Sequence, residues 1–196
     1  MDDLNKRVSE LSSFDLHSLS QDNLKKAFWV NIYNGLTNYF IIRHQLKKSV
    51  WEVEKFFSAL TVNIGGIDFS LDDIEHGILR KNSERKKGKS LQFSEGDPKL
   101  KLMVNTFDPR IHFALNCGSI SCPPIAFYSP QNIDKELSLA EENFASQEFM
   151  INHQNRAVQC SEIFIWYRHD FPHSYLNASG LIDYHVEPIS YQWTIH

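Results

Sequence analysis

Cysteine is scarce in this sequence. There are three among 196 residues, an odd number and too few for a disulfide framework. No charged-then-apolar leader stands at the N-terminus, so a reducing compartment, the cytoplasm, and no signal peptide are expected. Long apolar runs are also missing. The most apolar stretch, AFWVNIYNGLTNYFII at 27–42, contains three Asn and is too short and too polar to span a bilayer, so no membrane is expected. Positive charge is not in excess: 20 Lys and Arg face 24 Asp and Glu, a net charge of -4, which removes the general case for nucleic acid. The one basic run, RKNSERKKGKS at 80–90, has no interleaved aromatic for base stacking and reads as a solvated, mobile loop. Neither an internal repeat nor a Pro/Gly/Ser-rich linker divides the chain. A single domain over 1–196 is expected, with 1–22 as an N-terminal extension.

What is present suits a globular fold of mixed elements. From about Leu24 to about Lys47 the residues suit a long helix, apolar nearly all round and therefore buried, with Ser20, Asp22 and Asn23 as candidate N-caps. TVNIGGIDFS at 61–70 reads as a hairpin turning at Gly65-Gly66. SLDDIEHGILR comes next, with Ser70 and Asp73 in capping-box spacing, and predicts a short amphipathic helix. DPRIHFALNC at 108–117 reads as a turn and then a central strand, apolar on both faces. A helix is expected over 132–149, one or two strands over 157–171, and a last strand in ISYQWTIH. The pattern predicts α+β, an antiparallel-rich central sheet packed by helices.

Several residues stand out chemically. HFALNCGSISCPP at 112–124 places Cys117 at the exposed end of the expected strand, with a Gly118-Ser119 step after it whose N–H groups would suit an oxyanion. The plain alternative is a small buried hydrophobe. Strand alternation sets His112 on the face opposite Cys117, which makes it a poor base for that thiol and leaves it as a binding candidate. His76 stands better, beside Glu75 on the short helix. At 100° per residue the two fall on different flanks, so a shared site and a pair of surface residues both remain open. Asn31, Asn34 and Asn38 share one narrow helix face with Gly35, where they would either orient an imidazole or tie the helix to its neighbours. Cys117 and Cys122, spaced C-x4-C, are a weak zinc signal with no second pair. Cys160 reads as core.

FWVNIYNGL, LDDIEHGILR, DPRIHFALNCGSISCPPI and IFIWYRHDF occur in the order and form typical of the bacterial branch of the domain of unknown function 547 family. The chain resembles that family from about residue 24 to its C-terminus. YQWTIH resembles the usual aromatic ending, with Gln192 where an Asp is more usual. Plant members carry the domain behind a leucine-zipper-like segment and often replace the second Cys by Ser. The resemblance therefore implies that Cys117 is the thiol of interest and Cys122 dispensable. It maps a Glu-His pair onto Glu75 and His76, and an Asn-x-Tyr-Asn element onto Asn31, Tyr33 and Asn34.

The expectation is thus a thiol-dependent hydrolase or acyl transferase with papain-like or transglutaminase-like logic, acting on an amide in a small molecule or small peptide. Cys117 would be the nucleophile, with a lowered pKa, and His76 its base. Glu75 or Asn34 would orient the imidazole. Asn31, Tyr33, Gly118, Ser119 and His112 would bind substrate. No cofactor and no metal are called for. The alternatives are a non-catalytic protein- or peptide-binding module and a structural zinc domain.

Overall fold

The computed structural model describes residues 1–84, 90–171 and 183–195. After α1 (Asp2–Glu10), the central element is α2 (Asp22–Arg43), close to the expected span. None of the expected residues caps it. Gln21 is at the cap without a side-chain bond, and the Asp22 carboxylate instead accepts the N–H groups of Asn105 (2.6 Å) and Thr106 (3.2 Å). Because α2 is apolar on most sides it is enclosed on most sides: Ala27, Trp29, Val30, Tyr33, Leu36 and Phe40 are all buried. Trp29, Phe56, Phe69, Leu71, Ile74 and Ile78 have no exposed surface, and each such side chain contributes roughly 1.5–3 kcal/mol by leaving water. A second, smaller cluster gathers Phe113, Phe144, Ile163 and Phe171.

After the short helix α3 (Phe56–Ala59), the hairpin is as the sequence predicts. β1 (Thr61–Ile64) pairs antiparallel with β2 (Ile67–Ser70), and Gly65 (φ 58°) and Gly66 (φ 83°) supply the two positive φ angles of a two-residue turn. The capping box also forms. The Asp73 N–H donates to Ser70 Oγ, and the Ser70 N–H donates to Asp73 Oδ2, both at 3.1 Å. Beyond the cap the chain does not wind as an amphipathic α-helix. Residues Asp73–Leu79 form a π-helix, continued by Arg80 N–H to Glu75 C=O (2.9 Å) and Asn82 N–H to Gly77 C=O (2.8 Å). Every residue from 71 to 80 is buried, so this segment has no solvent face. Arg80, expected to begin a solvated basic run, is 2% exposed. Residues 85–89 of that run lie outside the described residues.

The expected central strand is not a strand. Pro109–Phe113 form a 3-10 helix, with Asp108 Oδ1 accepting the Arg110 N–H (3.1 Å) and Pro109 at its first position. Asp-Pro is a helix-start signal, and it prevails over the apolar run behind it. The expected strands of 157–171 are one strand and one helix. β4 (Ala157–Ser161) ends at Ser161, whose Oγ caps α5 (Glu162–Trp166). α4 (Ile133–Glu148) matches expectation and leads into β3 (Phe149–Asn152). β4 pairs antiparallel with β3 and parallel with β5 (His185–Ile189). The class is therefore α+β, with a hairpin and a small mixed sheet where one central sheet was expected. After β5 the chain crosses the molecule as a strap, touching it through the bridges Thr194 to Ser49 and Ile195 to Ser119. Among the described residues, no helix is long and apolar enough to cross a membrane.

Candidate active site

A cavity of about 440 Å³ opens where these irregular elements meet. The π-helix and the residue before it contribute Asp72, Glu75 and His76; α2 contributes Tyr33; the 3-10 helix and its tail contribute His112, Leu115 and Cys117. Trp51, Phe57, Trp166, Tyr191 and Trp193 form an aromatic side. There Trp193 packs on Trp51 (4.8 Å between centroids), Tyr191 (4.7 Å) and Trp166 (5.8 Å). The cavity thus has a polar floor and an apolar wall, the usual build of a small-ligand site.

The polar floor is a connected network. Glu75 accepts from the Tyr33 hydroxyl on Oε2 (3.1 Å) and from the Tyr167 hydroxyl on Oε1 (2.5 Å). Burial alone would raise its pKa. His76, the Tyr167 hydrogen bond, His112 and Arg80 outweigh burial and hold it below the usual carboxylate range, so Glu75 is ionised. Burial, with the Glu75 charge beside them, pushes Tyr33 and Tyr167 well above the usual phenol value, which keeps both as donors. Arg80 grips Asp170 with two bonds, Nε to Oδ2 at 2.6 Å and Nη2 to Oδ1 at 2.9 Å. Burial acts to raise Asp170, but hydrogen bonds from His112 and Arg80 bring it down to about 2.

The two histidines are fixed in opposite senses. Arg80 Nη1 lies 3.0 Å from His76 Nδ1, and a guanidinium only donates. In the neutral His76 ring Nδ1 therefore accepts, and the proton sits on Nε2, which lies 3.8 Å from Asp72 Oδ1. His112 is the reverse case. Its Nε2 meets the Asp170 carboxylate at 2.8 Å and so carries the proton, which leaves Nδ1 as the basic nitrogen of the neutral ring. Stacking on Tyr167, at 3.8 Å and 22°, fixes the plane of the His112 ring.

The thiol wall is held from behind. Asn34 donates to the Ala114 C=O (2.9 Å) and accepts the Asn116 N–H (2.8 Å); Asn116 in turn donates to the Pro123 C=O and accepts the Gly118 N–H, both at 2.8 Å. Gly118 has φ +87°, and a Cβ there would sit 2.4 Å from Ile41 Cδ1, so the turn requires glycine. The Cys117 N–H donates to Cys122 Sγ at 2.9 Å. Both sulfurs touch the Tyr191 hydroxyl, at 3.1 Å from Cys117 and 3.0 Å from Cys122. The neighbouring Cys122 thiol and burial push Cys117 well above the usual thiol range. Burial would also raise Cys122, but hydrogen bonds from Cys117, Ser119 and Tyr191 overcome it and bring Cys122 down.

Of the residues singled out in the sequence, Tyr33, Glu75, His76, His112 and Cys117 line one cavity. Asn31, Asn34, Gly118 and Ser119 do not. Asn31 bonds the Tyr128 backbone through both ends of its amide, Nδ2 at 2.7 Å and Oδ1 at 3.0 Å. Asn34 is likewise committed to backbone groups, and the Gly118 N–H, expected to face an oxyanion, is taken by Asn116. His112 and Cys117 share the cavity because no strand separates their faces. Glu75 and His76 both reach it in a segment that is buried on every side, where the surface flank expected for His76 does not exist. The lowered pKa expected for Cys117 is reversed, and the more acidic thiol is Cys122. Sequence reasoning missed Arg80, Tyr167, Asp170 and Tyr191. The motif IFIWYRHDF contains Tyr167 and Asp170, but nothing in it reveals a partner 90 positions away. Among the described residues no three His, Cys, Asp or Glu side chains are grouped to hold a metal ion.

A family model described as "Protein of unknown function, DUF547" matches residues 16–145. No curated protein and no solved structure matches the chain.

Proposed function

We propose that this chain, which belongs to the DUF547 family of proteins of unknown function, is a thiol-dependent hydrolase or acyl transferase acting on the amide of a small molecule or peptide. The observation that carries the reading is a thiol and a histidine on one cavity, with that histidine's Nε2 locked on a carboxylate. Cys117 is the nucleophile, His112 the base and Asp170 its orienting partner, a papain-like division of roles. This assignment moves the base from His76 to His112, because the Nδ1 lone pair of His76 is occupied by Arg80.

In the proposed reaction Cys117 Sγ attacks the amide carbonyl carbon and its proton passes to His112 Nδ1. Asp170 stabilises the imidazolium that results. The adduct collapses as the C–N bond breaks, and the leaving amine takes that proton. Water or an acceptor amine then resolves the thioester. A neutral Cys117 in the resting site fits general-base rather than ion-pair activation, because the proton need only leave as the S–C bond forms. The hydroxyls of Tyr33 and Tyr167 spend their protons on Glu75, so the polar floor supplies fixed charge beside the reacting groups, and the aromatic wall suits an apolar substrate group. A cytoplasmic setting, as expected for a chain so poor in cysteine, would hold the thiols reduced.

A second reading, a non-catalytic peptide-binding module, is favoured by one observation: Cys117 is held protonated within a floor whose polar groups are already engaged. Incubation with p-nitrophenyl acetate separates the two. The catalytic reading predicts a thioester on Cys117, found by peptide mass spectrometry and lost on Cys117→Ala. Acetylation confined to lysines would favour the binding module.

A further inference from the structure

The catalytic reading uses Cys117 and gives Cys122 no task. Yet Cys122 Sγ has three hydrogen-bond partners: the Cys117 N–H, which donates to it at 2.9 Å, the Tyr191 hydroxyl at 3.0 Å and the Ser119 hydroxyl at 3.4 Å. The same two hydroxyls reach Cys117, at 3.1 Å from Tyr191 and 3.6 Å from Ser119. Two sulfurs that share two hydrogen-bonding oxygens are neighbours, and the backbone is already bent to bring them together. Gly118 takes φ +87° and the Cys122 N–H donates to the Ser119 C=O at 3.0 Å. Both cysteines are free thiols, and both are only partly buried. Cys160 differs in every respect. It is buried in β4, and burial pushes it up to about 11.

We propose that Cys117 and Cys122 form a redox-active dithiol, which closes to an intramolecular disulfide by exchange with a low-molecular-weight disulfide and opens again with a low-molecular-weight thiol. In the first step the Cys122 thiolate attacks one sulfur of R–S–S–R. Its S–S bond breaks, one R–S⁻ leaves and takes a proton from solvent, and a mixed disulfide remains on Cys122. In the second step Cys117 gives its proton to solvent and attacks Cys122 Sγ, forming the Cys117–Cys122 bond and expelling the second R–S⁻, which is protonated. Two protein thiols are oxidised and one disulfide is reduced to two thiols. Donors arranged around a sulfur favour its thiolate, the attacking species in such exchange. The Tyr191 hydroxyl, within reach of both sulfurs, supports whichever of them carries charge. Closure would also remove the cavity's thiol reversibly, but the proposal does not rest on the catalytic reading, because its readout is mass.

The test is incubation of the whole protein with oxidised glutathione, then alkylation of remaining thiols, trypsin digestion and mass spectrometry. Both sulfurs fall in the single tryptic peptide 111–135. The expected product is that peptide two hydrogens lighter, without glutathione and without alkylation, while the Cys160 peptide is alkylated. Cys117→Ser and Cys122→Ser should each stop at a glutathione adduct on the remaining sulfur. A wild-type 111–135 peptide that ends with glutathione attached, or with both thiols still alkylated, would overturn the proposal. The wild-type arm decides the matter even if neither variant folds.

Discussion

The two polar walls of the cavity are built on opposite plans. On the π-helix wall, charge is committed: Glu75 is clamped by two tyrosines, and Arg80 joins His76 to Asp170, which in turn holds His112. On the thiol wall, backbone conformation is committed, through Asn34, Asn116 and Gly118, while the sulfurs are left with exchangeable protons around one tyrosine hydroxyl. The first plan fixes which ring nitrogens carry protons, Nε2 in both neutral imidazoles. The second fixes where a reactive atom sits and leaves its protonation adjustable. Together they fit the proposed chemistry, in which a nucleophile loses its proton only on attack.

Breaking the first wall should have the largest effect. Arg80→Met removes one partner of a buried pair whose side chains are 2% and 8% exposed, and should cost about 3–5 kcal/mol in urea unfolding. A loss under about 1 kcal/mol would mean that the Arg80–Asp170 pair contributes no more than an exposed salt bridge. On the second wall, Gly118→Ala forces a Cβ toward Ile41 at a positive φ, and the two penalties should sum to about 3 kcal/mol. The measurement that checks it is again the urea midpoint. The walls should also part in acid. Asp170, about 2 in the folded protein against ~3.9 unfolded, contributes roughly 3 kcal/mol that is present above the unfolded value. That contribution should be lost as pH falls from about 4 to about 2, and Asp170→Asn should flatten the stability profile over this window.

Local structure was legible in the sequence where it was locally encoded. The Gly65-Gly66 turn, the reciprocal Ser70 and Asp73 caps and the bulk of α2 and α4 all formed as read. The 3-10 helix at Pro109 was misread because a continuous apolar run has no periodicity to separate a strand from a buried helical turn. The Asp108-Pro109 start signal would have corrected it. The π-helix was hidden for a different reason, since helical-wheel reasoning presupposes the winding it is used to interpret. Cys117, His76 and Glu75 were legible as site candidates, but not which nitrogen of each imidazole carries the proton. That depends on Arg80 and Asp170, which meet only in the folded chain.

The base assignment is tested most directly by the rate at which p-nitrophenyl acetate acylates Cys117, measured against pH in wild type, His112→Ala and His76→Ala. If His112 is the base, its removal should slow acylation at neutral pH by about a hundredfold or more, while removal of His76 should cost far less. Equal rates in wild type and His112→Ala, or a collapse found only in His76→Ala, would contradict the account.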